Sequence, residues 1–322
     1  MNLFISCDWG TSTMRLRLVD RQRRESVAEV KGEDGIPAVY ARWQQTGDRP
    51  EGRIAFYQAV LAQGLEHLQR QTSSSVAGLP FVLSGMASSS LGMVELPYRQ
   101  MPFDLTGSNL VRAQLPASDH FGHAILLVSG ARAEDDVMRG EETQLVGCAP
   151  AGDDERLYIL PGTHSKHVLV RHGMAVSVST FMTGEIFQLL AAKSILAVSV
   201  TAASSDGGAV SPCFLQGIRD SRRGGILQTA FRVRTRHILS GTTNEENYQY
   251  LSGLLIGEEL KTLTGTEFPL AVVGAGRMKE YYTAGAEELG LPAVSIVDAD
   301  HALVRGHCRL LELDGNDVIL KS

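Results

Sequence analysis

Cysteine is scarce in this chain. Four occur among 322 residues, at Cys7, Cys148, Cys213 and Cys308, and none forms a Cys-x-x-Cys pair. That scatter argues against both a disulfide framework and a cysteine zinc site, and it fits a reducing cytoplasm. Positive charge is also in deficit: the net charge is −6 and the isoelectric point about 5.9. An acidic balance argues against non-specific nucleic-acid binding and leaves no polybasic patch for a membrane surface. No apolar run reaches bilayer-spanning length. The opening MNLFISCDWG has neither the basic start nor the long apolar stretch of a secretory signal. What remains is a globular balance, 43% hydrophobic and 20% charged, in a chain long enough for two domains of about 150 residues each.

The organising stretch is Leu3–Asp20, LFISCDWGTSTMRLRLVD. It reads as an apolar strand ending at Asp8, a Gly-Thr-Ser-Thr turn, and a second strand. In that second strand Met14, Leu16 and Leu18 alternate with Arg15 and Arg17. Gly10 lets the backbone turn closely. Thr11, Ser12 and Thr13 add hydroxyls to the turn's N–H groups, as in a backbone nest that holds phosphate. Asp8 is placed to hold a hydrated Mg2+ against that phosphate. An ordinary hairpin with a polar turn is the competing reading. A second copy favours the phosphate reading: Leu157–Val170, LYILPGTHSKHVLV, repeats strand, Gly-Thr-x-Ser turn and strand, with Gly162 following Gly10 by 152 residues. Repetition at that distance suggests two related halves, each with one anion-binding turn.

Between and beyond the turns, RQRRES reads as a surface turn, Ala55–Gln71 as an amphipathic helix and Leu79–Leu83 as a short buried strand. The Gly/Ser-rich loop after that strand carries Ser84, Gly85, Met86, Ser88, Glu95 and Tyr98. A loop at the carboxyl end of a strand is a natural ligand position in an α/β domain. His123–Ser129 is a further strand. In Asp136–Cys148, Val137, Met138, Leu145 and Val146 suit one helix face. Asp136, Glu141 and Glu142 are either solvated acids near a helix start or include a general base, and Arg139 is available to pair with them or to clamp a substrate carboxylate.

Thr180–Leu196 reads as a helix capped by Thr183 or Thr180. Val200–Pro212 reads as a mobile Ser/Gly/Ala loop. Phe214–Leu239 is helical with a break at Gly224-Gly225, and its six arginines suit a solvated face. Asn247–Leu263 is a strongly apolar helix whose Gly253 and Gly257 permit close packing. Phe268–Gly276 is a strand ending in Gly-x-Gly, Lys279–Leu289 a helix, Pro292–Val297 a strand and Asp298–Leu311 a last helix. Gly274 and Gly276 suit a backbone lying flat against adenosine. His164 and His167 have no third ligand in reach, so no metal site is expected there.

DWGTSTMRLRLVD, MRGEETQLVG, LPGTHSKHVLV, TFMTGEIFQLL with KSIL, YLSGLLIGEEL and VVGAG occur in that order over about residues 3 to 310. In these segments the chain resembles the 2-dehydro-3-deoxygalactonokinase family of the sugar kinase, actin and heat-shock chaperone ATPase superfamily. The resemblance implies an α/β fold of two ribonuclease H-like domains with an ATP cleft between them, at residues 1–133 and 134–322, the last helix returning to the interface. It implies ATP and Mg2+ as cofactors and transfer of phosphate to the terminal hydroxyl of 2-dehydro-3-deoxy-D-galactonate. ATP-binding residues would be Gly10, Thr11 and Ser12, then Gly162, Thr163, His164 and Ser165, then Gly274 and Gly276. Asp8 would hold Mg2+ through water, and Lys166 would neutralise charge on the transferring group. Glu141 is the preferred base. Related kinases carry aspartate after the glycine, which leaves Asp136 as the alternative, and His164 replaces a usual second glycine.

Two rivals stand beside this reading. One is a kinase of another sugar acid or polyol on the same fold. The other is an actin-like nucleotide-binding assembly protein, against which the absence of a large insertion speaks. A sugar-responsive repressor would need a DNA-binding helix pair ahead of the first hairpin, where two residues precede Leu3. The expected partner is a small sugar acid, with no nucleic acid and no membrane. A homodimer is one arrangement the residues leave open.

Overall fold

The computed structural model describes residues 2–47, 49–148, 155–202, 209–313 and 318–319. By contact the chain divides into two units. The first holds residues 1–154, 171–178 and 299–322, and the second holds residues 155–170 and 179–298. The sequence reading cut the chain at 133/134. The first unit runs past that point because the helix that follows packs on the last helix of the chain, described below.

In the first unit β1 (Leu3–Trp9), β2 (Met14–Asp20) and β3 (Glu25–Gly32) form an antiparallel meander. Then come α1 (Ile36–Thr46), α2 (Arg53–Arg70) and β4 (Phe81–Gly85), which lies parallel to β1. Short strands β5 (Arg99–Gln100) and β6 (Phe103–Asp104) precede β7 (Arg112–Leu115) and β8 (Ile125–Val128). β8 is parallel to β4 and antiparallel to β7. A small hairpin of β9 (Ala131–Arg132) and β10 (Val137–Met138) leads to α3 (Glu141–Cys148). The period-two pattern explains the layering. Ile5, Cys7, Trp9, Leu16 and Leu18 face one way and meet Tyr57, Leu61, Leu65 and Leu68 of α2 in a dry core.

The second unit opens with β11 (Arg156–Leu160) and β12 (Ser165–Arg171), an antiparallel pair. β13 (Met174–Phe181) follows, and its first residues pair with β6 inside the first unit. Next are α4 (Thr183–Lys193), α5 (Pro212–Ser221), α6 (Ile226–Thr229), α7 (Arg232–Ser240) and α8 (Asn244–Leu260). β14 (Leu270–Gly274), parallel to β11, α9 (Met278–Leu289) and β15 (Val294–Asp298), parallel to β14, complete it. The chain then rejoins the first unit as α10 (Ala299–Glu312) and β16 (Val318–Ile319), which pairs with β7. The pairings β2-β1-β4-β8 and β12-β11-β14-β15 share one topology, an antiparallel hairpin followed by two parallel strands. The repeat read from the two turns is therefore a repeat of the fold.

Two close helix pairings fix these layers. On α8, an added Cβ at Gly253 would stand 2.0 Å from the Phe214 carbonyl of α5, so only glycine fits. On α3 and α10, Cβ atoms at Gly147 and Gly306 would lie 1.7 Å and 2.1 Å from the carbonyls of Ala302 and Thr143.

Several local expectations are corrected. Val137 and Met138 lie in a strand, because Gly140, at φ +111°, breaks the chain before α3. The first residue before α4 is Met182, and neither Thr180 nor Thr183 caps it. β3 and α1 were missed: RQRRES straddles the β2–β3 turn and runs into a strand exposed along most of its length. Of the arginines between residues 219 and 236, Arg219, Arg222 and Arg223 are exposed, as a solvated face requires, and several also have partners. Arg219 pairs with Glu288, Arg223 with Asp220, and Arg236 lies over the Tyr250 ring. Part of the Ser/Gly/Ala loop, residues 203–208, lies outside the described residues. No helix among the described residues is long and apolar enough to cross a membrane.

Candidate active site

The first turn is braced from behind. Gly10 N–H donates to Thr13 O at 2.9 Å, Ile36 N–H donates to Gly10 O, and a Cβ at Gly35 would lie 1.9 Å from Thr11 O. Thr11 and Ser12 are exposed, and their N–H groups take no acceptor among the described residues. Free, adjacent N–H groups on a braced turn are what an anion site requires.

Asp8 lies beside it, one residue before the end of β1. Burial pushes its carboxyl above the ordinary aspartate value; Arg17 and Arg15 pull the other way, and Asp300 adds to the rise. No hydrogen bond among the described residues holds that carboxylate. A carboxylate that no hydrogen bond holds suits a hydrated divalent cation, which takes one or two carboxylates and completes its shell with water and phosphate. The donor set therefore fits Mg2+.

Asp8, the β4 loop and the start of α3 converge within this unit. Gly85 has φ +87°, and a Cβ there would meet Trp9 O at 2.7 Å and Asp8 Oδ1 at 3.3 Å. A Cβ at Gly140 would lie 3.5 Å from the Gly85 Cα. Two glycines in left-handed backbone thus let the loop before Glu141 touch the strand end beside Asp8. Glu141 accepts from Arg139 N–H at 2.8 Å. Glu142 is fully buried and accepts from Gly140 N–H at 2.7 and 3.0 Å. Its carboxyl is pushed up to about 7 by burial and then by the Glu141 charge, against the opposing hydrogen bonds. Asp136 instead sits in the β9–β10 turn, where its carboxylate accepts from Val137 N–H and its carbonyl from Ala133 N–H.

Arg139 ties the loop together. Its Nη1 donates to the Ser88 carbonyl and hydroxyl, both at 2.6 Å, and its guanidinium lies 4.1 Å over the Tyr98 ring. Its Nε is buried without a partner among the described residues. Ser84, Gly85, Ser88, Tyr98 and Arg139 are thus brought together. Met86 packs partly against the core, and Glu95 lies exposed outside the Arg139 contacts.

Sequence reasoning missed the residue that anchors this group. His307 of α10 is fully buried, with Nδ1 2.7 Å from Ser6 Oγ and Nε2 2.9 Å from Ser84 Oγ. It joins β1 two residues before Asp8 to β4 one residue before Gly85. Its neighbour Gly306 is the contact on α3. The one signal in the sequence was a lone polar residue on an apolar helix face.

In the second unit Gly162 and Thr163 are exposed. The start of α4 is docked on their backbone: Glu185 N–H donates to Thr163 O at 3.0 Å, and a Cβ at Gly184 would lie 2.6 Å from Gly162 O. His164 Nε2 is 2.5 Å from Glu185 Oε2. Ser165 turns inward and donates to Glu259 at 2.7 Å, while Lys166 is 6% exposed on the opposite side of the strand. Beside this turn lies a cavity of about 320 Å³. Gly162, Thr163 and Gly184 line one part of it, and Phe187, Tyr248, Met278 and Tyr281 supply apolar walls. An aromatic-walled slot of that volume with exposed turn N–H groups at its edge suits a purine and its phosphates. Gly274 and Gly276, the second at φ +53°, form the turn that starts α9 and so aim Met278 and Tyr281 at the cavity. The apolar walls also escaped the sequence reading, because they come from three separate helices.

A twice-repeated hairpin-and-parallel-strand unit with an anion turn in each copy is the fold of the actin-like ATPase superfamily to which sugar kinases belong. Within it, the chain belongs to the 2-keto-3-deoxy-galactonokinase family, which it matches over residues 8–310. It is 32% identical over 313 residues to a probable 2-dehydro-3-deoxygalactonokinase of Rhizobium meliloti strain 1021, covering 94% of each chain. It is 27% identical over 312 residues to the 2-dehydro-3-deoxygalactonokinase of Escherichia coli K12, covering 94% of this chain and 95% of that one. Its fold is similar to the crystal structure of a candidate 2-dehydro-3-deoxygalactonokinase from Sinorhizobium meliloti, with a TM-score of 0.75 at 31% identity and 94% coverage of both chains. Membership in this family makes the protein a sugar-acid kinase that uses ATP.

Proposed function

We propose that the chain phosphorylates 2-dehydro-3-deoxy-D-galactonate on its terminal 6-hydroxyl, in galactonate breakdown in the cytoplasm. The observation that supports the residue assignment is the Gly85–Gly140 contact, which brings the loop before Glu141 against the end of β4, where Gly85 adjoins Asp8. Glu141 orients the acceptor hydroxyl and takes its proton. Asp136, held in a hairpin turn, is the weaker candidate. The free edge of Arg139 and the Ser84–Ser88 backbone receive the sugar-acid carboxylate. Thr11, Ser12 and the exposed Gly162–Thr163 backbone bind phosphate, and the aromatic cavity takes adenine. Asp8 would hold Mg2+, which supplies charge neutralisation at the phosphates. His164 and Ser165 support the second turn, His164 through its contact with Glu185 and Ser165 through its inward hydrogen bond.

An ADP-release assay with the galactonate derivative, its gluconate epimer and a polyol panel tests the substrate. Glu141→Gln should lower kcat by about 10²–10⁴-fold while nucleotide binding stays near normal. Near-normal turnover would remove Glu141 from the base role, and preference for another acceptor would overturn the substrate.

A further inference from the structure

Glu259 lies near the end of α8 and is 2% exposed. Both of its oxygens are fully engaged. Oε1 accepts from Ser165 Oγ at 2.7 Å and lies 2.9 Å from His167 Nε2. Oε2 accepts from Thr183 Oγ1 at 2.5 Å and from Tyr282 OH at 2.7 Å. These partners come from β12, the first residue of α4, and α9. Thr183 and Tyr282 also line the 320 Å³ cavity, and Ser165 closes the second turn. No lysine or arginine pairs with this carboxylate among the described residues.

A buried carboxylate is costly, and an apolar side chain of similar size is often no less stabilising. What an apolar side chain cannot do is gather four hydrogen bonds at one point from three elements. From these contacts we infer that Glu259 is a positioning residue for the nucleotide: it holds the second turn, the start of α4 and the α9 wall of the cavity in one fixed arrangement. The inference deepens the ATP reading of that cavity and rests on it. Glu259 touches no nucleotide itself and acts through Ser165, Thr183 and Tyr282.

The charge is not the required feature; the acceptor geometry is. In Glu259→Gln the amide oxygen accepts from Ser165 and His167, and the amide nitrogen donates to the Thr183 and Tyr282 hydroxyls, which rotate to accept. Glu259→Ala removes the shared acceptor from all four, leaving Ser165 only its longer contacts to the Leu160 carbonyl at 3.4 Å and the Tyr282 hydroxyl at 3.3 Å. His167→Leu removes one partner from a residue outside the cavity wall.

The test has two arms on the full-length chain. In the first, amide hydrogen exchange is followed without nucleotide. Glu259→Ala should speed exchange in residues 160–166 and 183–187 while the β1–β4 peptides stay at wild-type rates. In the second, binding of a non-hydrolysable ATP analogue is measured by calorimetry. Affinity should fall about tenfold or more in Glu259→Ala, fall severalfold in His167→Leu, and stay within about threefold of wild type in Glu259→Gln. If Glu259→Ala does not fold, His167→Leu and the Gln rescue decide the matter. Wild-type exchange and wild-type affinity in the variants would overturn the inference. Wild-type protein that takes no ATP analogue would overturn the cavity reading, and the nucleotide part of the inference with it.

Discussion

His307 offers a quantitative test of how the first unit is held. Burial, with a smaller push from Arg17, holds its imidazole down at about 3, against the ordinary 6.5. The unfolded chain therefore takes a proton below pH 6.5 that the folded chain refuses until about pH 3. The stability this histidine contributes is fully present above pH 6.5 and is lost as pH falls toward 3. The full swing is about 5 kcal/mol, or ~1.4 kcal/mol per pH unit. In His307→Leu the titration is gone, but the Ser6 and Ser84 hydroxyls lose their buried partner, at a pH-independent cost of about 3 kcal/mol.

The two effects give a crossing. At pH 7.5 the variant should unfold about 3 kcal/mol more easily than wild type. The gap should close as pH falls and vanish at roughly pH 4.5. Urea unfolding of both proteins at pH 7.5, 6.5, 5.5 and 4.5 reads the gap directly, and the difference cancels every other titrating group. A gap that stays constant across that range would refute the neutral, double-bonded histidine.

Glu142 should show the opposite slope. Its folded carboxyl keeps its proton up to about pH 7, so its contribution is present below pH 4.5 and is lost as pH rises through 7. Glu142→Gln should flatten that part of the curve by about 3 kcal/mol in the same unfolding series, and an unchanged slope would count against its burial. Gly306→Val should part α10 from α3 and lower kcat through the displaced Glu141 more than it raises the KM for ATP; steady-state kinetics separates the two. Tyr248→Ala and Phe187→Ala should raise the KM for ATP about tenfold and leave the sugar-acid KM alone, and a reversed pattern would move the nucleotide elsewhere.

The duplicated strand-turn-strand was legible because it rests on local signals: period-two alternation and a Gly-Thr turn written twice. Buried strands and long helices were legible for the same reason. What the sequence hid was of two kinds. β3 and α1 carry mixed surfaces, since β3 is exposed along most of its length and α1 buries only Ile36 and Val39. The polar hubs His307 and Glu259 look, in sequence, like ordinary polar residues of amphipathic helices. Their partners lie 223 and 301 residues away for His307, and between 23 and 94 residues away for Glu259. No window of sequence holds both ends of such a contact. That Ser165 turns inward while Thr163 stays exposed was hidden similarly. Both are hydroxyl residues of one turn, and only Glu259 beneath the strand decides which faces inward.

The repeat also shows where the two halves part company. With Gly10 placed on Gly162, Thr11 meets Thr163, but Asp8 meets Leu160 and Ser12 meets His164. The anion turn is kept in both copies, while the carboxylate survives in one. That asymmetry follows from charge. Asp8 is proposed to share a divalent cation with phosphate at the first turn, whereas a carboxylate at position 160 would repel phosphate at the second turn with no cation proposed there to offset it. Leu160 instead adds to the buried end of β11, and the polar contacts beneath that turn go to Glu259, which lies buried behind Ser165. A Leu160→Asp substitution therefore ought to weaken nucleotide binding despite restoring the repeat. Asp8→Leu ought to abolish the Mg2+ dependence of binding, as followed by titrating the metal at fixed nucleotide. If Leu160→Asp bound ATP more tightly, the charge argument for the divergence would be wrong.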